Sequence, residues 1–194
     1  MRPLLLALVI ASLGAPAAAP QAAVPAQAVA RGLSIARAAE AQVGVTVRYD
    51  STYRRLDYPG GDVPRDRGVC SDVVVRAFRE VGVDLQVAVH EDMQRHFRDY
   101  PQLWGLRGPD RNIDHRRVPN LMRYFDRQGK RVAPGAGYRA GDVVAWRLSN
   151  GLLHIGVVAE ERGARDPLMV HNIGYGARLE DVLRAYDEIG HYRW

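Results

Sequence analysis

Apolar positions along this chain change their spacing late in the sequence. From Arg31 to Val43 (RGLSIARAAEAQV), Leu33, Ile35, Ala36, Ala39 and Val43 fall near helical spacing and predict a first helix. The strongest signal starts at Cys70. Cys70, Val73, Val74, Ala77, Phe78 and Val81 recur at i, i+3, i+4, i+7, i+8 and i+11, a single apolar stripe, with Arg76, Arg79 and Glu80 on the other side. Gly82 is the expected stop. Further helices are expected over 86–97 and 118–128, the latter with Pro119 in its first turn. Beyond Gly141 the period shortens to two. Asp142–Trp146 and Leu152–Ala159 read as strands joined by a turn at Ser149-Asn150-Gly151, Leu168–Ile173 as a third strand and Gly190–Trp194 as a fourth. Helices followed by an antiparallel meander predict an α+β fold, with N-terminal helices packed on a C-terminal antiparallel sheet.

Two stretches lack a period. Residues 49–68 carry Tyr49, Tyr53 and Tyr58 among prolines and glycines, a long ordered loop of the kind that usually serves a purpose. The N-terminus reads as a secretory signal: Arg2, an apolar run from Leu4 to Leu13, then small residues at Ala17–Ala19. The run is too short for a membrane span. A second small-x-small site at Ala28-Val29-Ala30 puts the expected mature start between Pro20 and Arg31. The expected organisation is a signal peptide over 1–19, a flexible linker over 20–30 and a single domain over 31–194, in a secreted or periplasmic protein without a lasting membrane span.

Export changes the meaning of the cysteine count. One cysteine allows no internal disulfide, so Cys70 is a buried bystander, an intermolecular partner or a reactive thiol. The net charge is +5, and all but one of the 27 basic residues are arginine, Lys130 being the exception. Guanidinium groups suit anionic polymers. Nothing resembles a nucleic-acid-binding module, so no nucleic-acid partner is expected.

The chemistry centres on Cys70. At the first position of a helix, a thiol meets partial positive charge and free N–H groups, which favour the thiolate and could hold an oxyanion. A lowered thiol pKa is therefore expected, aided by Arg65 and Arg67. A base is needed, and His154 sits inside an apolar strand (LLHIGVV), where a polar side chain requires a reason. Alternation places it on one face with Gly156, expected to leave open space beside the ring. His171 in the next strand (LMVHNI) is expected to orient His154, with Asn172 as the substitute if the register is shifted by one. His90, Asp92 and His96 are candidate metal ligands, but a spacing of six does not put the two histidines on one helix face. No cofactor or metal is expected. Asp114 and His115, next to Asn112, Arg116 and Arg117, are candidates for a substrate groove.

These residues carry a resemblance. A cysteine opening a helix (VCSDVVVRAF), a histidine in a strand (HIGVV) after a Gly-Asp strand start (AGDVVAW), and a polar residue one strand later (MVHN) resemble the NlpC-type cell-wall peptidases, papain-like enzymes with that order of residues. Val69 and Asp72 depart from the usual Asp-Cys-Ser-Gly. Longer phrases, YPGGDVPRDRGVCSDVV, VHEDM, NIDHRRVPNL, HNIGYG, EDVL and GHYR, resemble a bacterial exported family known as domain of unknown function 1287. The resemblance implies a papain-like NlpC-type fold, a tyrosine (Tyr49 or Tyr53) with its hydroxyl near the thiol, and peptidoglycan or muropeptides as substrate. With Tyr49 and Tyr53, the expected substrate contacts are Asp72, Asp114, His115 and Asn172.

The resulting expectation is an exported thiol hydrolase that cleaves an amide through a Cys70 thiolate and His154. Its rivals are a non-catalytic cell-wall-binding module on the same fold and a zinc-dependent amidase using His154 and His171. The oligomeric state is left open.

Overall fold

A computed structural model describes residues 25–194. The signal segment 1–19 and the start of the linker lie outside them.

Helix α1 spans Ala26–Glu40 and buries Ile35, Ala36 and Ala39. It starts five residues earlier than its periodicity predicts, so residues 26–30 belong to a helix rather than to the flexible linker. A close tertiary contact anchors the helix on the sheet. Gly32 and Gly141 meet backbone to backbone: a Cβ on Gly32 would stand 2.6 Å from the Ala140 carbonyl oxygen, and one on Gly141 would stand 2.0 Å from that of Gly32. No side chain fits between α1 and the start of the sheet.

Two short parallel strands, β1 (Arg48–Tyr49) and β2 (Arg67–Gly68), pin the ends of the long loop. Helix α2 (Cys70–Arg79) follows, and its periodic stripe is buried as predicted. The opposite side is covered too, because the loop folds over it. Arg76 donates to Asp62, to Thr46 Oγ1 and to the carbonyls of Val63 and Arg67, so its charge is neutralised where it meets the loop. Gln86, from α3 (Leu85–His96), bonds the carbonyl of Asp57 and the amide of Gly61. A 3-10 turn at Asp114–Arg116 leads into α4 (Val118–Arg127).

The sheet comprises β3 (Val143–Arg147), β4 (Leu153–Arg162), β5 (Pro167–His171), β6 (Arg178–Glu180) and β7 (Asp187–Tyr192). Its order is β6-β5-β4-β3-β7 and every pairing is antiparallel. The architecture is α+β, as the alternation of periods predicts. The short strands β1, β2 and β6 have no counterpart in the apolar pattern of the sequence. The main core lies between the helices and one face of the sheet, with Val143, Ala145, Ile155, Val157 and Val170 meeting Phe78, Leu121 and Phe125. A second, smaller core of Val144, Trp146, Val158, Met169 and Leu183 covers the other face. The buried carboxylate of Asp142 clasps the last strand through His191 (2.7 Å) and Arg193. No helix among the described residues is long and apolar enough to cross a membrane.

Candidate active site

Cys70 occupies the first position of α2, after Val69 in extended conformation. The Asp72 carboxylate reaches back to the Val69 N–H (2.7 Å), a capping arrangement that satisfies an otherwise orphan donor. Asp72 also receives two hydrogen bonds from Arg116 (2.9 and 3.0 Å), and both side chains are almost fully buried. Arg116 bonds the carbonyls of Asp50 and Thr52 as well, and its own carbonyl accepts from Ser71. Asp72 is thus the rivet that fixes the start of α2, with no edge left for a substrate. This corrects its expected role.

The thiol lines an open cleft of about 390 Å³ together with Tyr49, Trp104, Arg117 and Leu152. Tyr49 lies close enough to the thiol and to Asp72 for both to push its hydroxyl pKa up, after burial. Tyr53 is exposed and turns to Asp110 and Asn112 instead. The backbone amides of Ile155, Ser71 and Cys70 act to lower the thiol pKa. Burial outweighs them. It pushes the Cys70 thiol up to about 11, and the Asp72 charge adds to the rise. The expected low thiol pKa is therefore corrected: desolvation of the sulfur defeats the helix start, and the resting group is a thiol. Arg67 pairs with Asp66.

His154 precedes Ile155 on β4 and, by alternation, leaves the strand on the opposite face, away from α2. It projects toward the second core, where Trp146 stacks on it with ring centroids 5.7 Å apart. His154 Nε2 lies 2.9 Å from His171 Nδ1. The adjacent-strand pairing thus brings His171, and not Asn172, to His154. Asn172 is turned away, donating to the Gly68 carbonyl (2.9 Å) and accepting from the Gly174 amide, which ties the end of β5 to β2. Gly156 does not leave a void. A Cβ there would stand 3.1 Å from His171 Cβ and 3.3 Å from Trp146 Cζ3, so its bareness lets the two rings close around His154. Burial, and then His171, hold His154 down to about 3, so it rests as neutral imidazole. No hydrogen bond joins Cys70 to His154 among the described residues.

A fourth group extends the line. Glu180 Oε2, on β6, lies 2.9 Å from His171 Nε2, off the direction of the ring N–H. Burial lowers the His171 pKa and Glu180 opposes this. A carboxylate only accepts, so it favours a proton on His171 Nε2 and leaves Nδ1 as acceptor. His154 must then donate from Nε2, which leaves the Nδ1 lone pair free. Sequence reasoning missed Glu180, and a three-residue strand offers no period by which to find it.

Asp114 and His115 are buried and do not line the cleft. Burial pushes Asp114 up to about 6 and His115 down to about 3. Their neighbours Ile113, Arg116 and Arg117 face the cleft in their place, because the 3-10 turn directs successive side chains to different sides. Asp92 is engaged by Tyr100 and Arg127. Among the described residues no group of three or more His, Cys, Asp or Glu is gathered as a metal site.

The family model described as "Domain of unknown function (DUF1287)" matches residues 36–194. An Escherichia coli (strain K12) protein described as "Uncharacterized protein YijF" is 56% identical over 167 residues, covering 84% of this chain and 81% of the relative. Among solved structures, NlpC1 from Trichomonas vaginalis is similar over 84% of this chain at 15% identity, with a TM-score of 0.46; the chain spans 44% of the length of that protein.

Proposed function

The chain belongs to the DUF1287 family, and from its site we propose that it is an exported thiol hydrolase that cleaves an amide in the peptide part of peptidoglycan. The observation that carries this reading is Cys70 at the start of α2 on an open cleft with Tyr49 and Arg117, in a fold that also holds the His154–His171–Glu180 line across the sheet. The setting is a buried polar relay without another evident task, and such relays mark functional sites.

The resting pair is a neutral thiol and a neutral imidazole. As substrate enters the cleft, the sulfur attacks the amide carbonyl carbon while the Cys70 proton passes to His154 Nδ1, a transfer for which the ring has to reach the helix side of β4 from the opposite face it occupies here. The oxyanion forms beside the first N–H groups of α2 and the Tyr49 hydroxyl. Protonated His154 gives its proton to the leaving amine, and a thioester remains. Water, deprotonated by His154, then releases the acid and restores the thiol. His171 and Glu180 hold the His154 tautomer and share the imidazolium charge. The mechanism differs from the expected one in its first step, since the thiolate is made during attack and does not stand beforehand.

The raised thiol pKa and the missing Cys70–His154 hydrogen bond favour one rival, a binding module without turnover. Digestion of purified sacculi with wild type and Cys70→Ser, read by mass spectrometry, separates the two. Fragments with new peptide ends from the wild type alone support the hydrolase. Retention on sacculi without fragments supports the module.

A further inference from the structure

The hydrolase reading says nothing about which peptides enter the cleft. On the premise of that reading, we propose that Arg117 binds a substrate carboxylate close to the scissile amide, so that the cleft selects acidic peptides.

Charge comes first. The cleft lining includes two arginines, Arg116 and Arg117, and no aspartate or glutamate. Arg116 is spent on buried Asp72. Arg117 is different: its guanidinium makes no hydrogen bond to any described residue, and Nη1 is buried without a partner. Asp114 forms only a loose ion pair with that nitrogen, at 3.8 Å and beyond hydrogen-bond range, on the buried side of the group. Burial lowers the Arg117 pKa against the opposing pull of Asp114 and Asp110.

Geometry comes second. The Arg117 guanidinium carbon stands 4.0 Å over the ring centroid of Trp104. Stacking fixes the plane of the group, and a guanidinium held in plane is suited to meet a carboxylate with two parallel hydrogen bonds. Arg117 is also the N-terminal cap of α4, whose first residues Val118 and Pro119 share the lining. That helix end adds positive potential on the same wall. Exposed Leu152 and Trp104 supply apolar surface for the rest of the ligand. A neutral peptide would leave the guanidinium edge facing nothing but its chain. An acidic one completes it.

The test uses N-acetylated stem peptides from sacculi, their carboxyls either free or converted to carboxamides, with the full mature protein. Cys70→Ser protein, measured by calorimetry, should bind the free acids about 10- to 100-fold more tightly, the range of a charge-assisted hydrogen bond. Arg117→Gln in that background should erase the preference, and Arg117→Lys should keep part of it, with unchanged melting temperatures for both. Equal binding of acid and carboxamide, binding of neither, or a preference that survives Arg117→Gln overturns the proposal. Turnover by the wild type is scored separately. An Arg117-dependent preference without any cleavage removes the hydrolase reading and leaves the subsite, whereas cleavage of both peptides at equal KM removes the subsite and leaves the hydrolase.

Discussion

Replacing Glu180 by glutamine keeps the side chain's shape and removes its charge. In the native site the carboxylate sits 2.9 Å from His171 Nε2 and favours the tautomer that leaves His154 Nδ1 free. Glutamine can accept or donate, so it no longer chooses between tautomers. A well-aligned hydrogen bond to a charged group contributes about 1.5–3 kcal/mol, and this contact lies off the N–H direction. About 35% of the Glu180 side chain is exposed, so solvent screens it and roughly 1–2 kcal/mol remains. That corresponds to a kcat lowered about 5- to 30-fold, with KM nearly unchanged because the carboxylate does not face the cleft. The loss is smaller than that expected from removing His171 itself. The assay pairs steady-state kinetics on released stem peptides with nitrogen-15 NMR of the histidine rings. Wild type should show His171 protonated on Nε2, Glu180→Gln a mixture, and Glu180→Asp partial recovery. Wild-type kcat together with unchanged ring shifts in Glu180→Gln would refute the tautomer reasoning.

The other predictions concern the thiol, the base and the buried histidines. His154→Ala should abolish turnover and His171→Ala should reduce it by about one to three powers of ten, with EDTA without effect; a zinc site instead predicts that both substitutions release metal and stop activity. Iodoacetamide should label Cys70 more slowly than free cysteine at neutral pH, with a rate that climbs as pH approaches about 11; labelling faster than free cysteine would restore the standing thiolate. His154 and His115 rest near 3 in the fold against 6.5 as ordinary values. The unfolded chain therefore binds protons first as pH falls below 6.5, and stability present at neutral pH is lost on the way to about 3, at about 1.4 kcal/mol per pH unit for each group. Asp114, raised from 3.8 to about 6, opposes one of them within that narrower window. The urea midpoint should thus drop between about pH 6.5 and 5, and His115→Gln should flatten the drop; a midpoint constant over that range counts against both burials.

What the sequence disclosed depended on how local the cause was. Helix α2 was legible because six apolar residues share one stripe, and its covered far side was not, because Arg76 reads as solvent-facing until the loop closes on it. The His154–His171 pair was legible from alternation in neighbouring strands. The early start of α1 was hidden, since the Ala- and Gln-rich residues before Arg31 carry no apolar period. Asp72, Asp114 and His115 were polar and near the right elements, but polarity alone does not tell an inward rivet from a groove wall. The helix-start position of Cys70 argued for a thiolate, and only three-dimensional burial shows which of two opposing effects is larger.

The covered sulfur has a consequence for how long such a protein lasts. Peroxide attacks thiolates, and oxidation toward sulfenic and sulfinic acids follows thiolate character and access. A thiol held near 11 presents roughly one thiolate in ten thousand at neutral pH. With no second cysteine in the chain, a sulfenic acid on Cys70 would have no internal partner to trap and return it. Keeping the proton on the sulfur until a ligand arrives therefore protects a group that the molecule cannot repair, at the cost of a slower attack when the ligand comes.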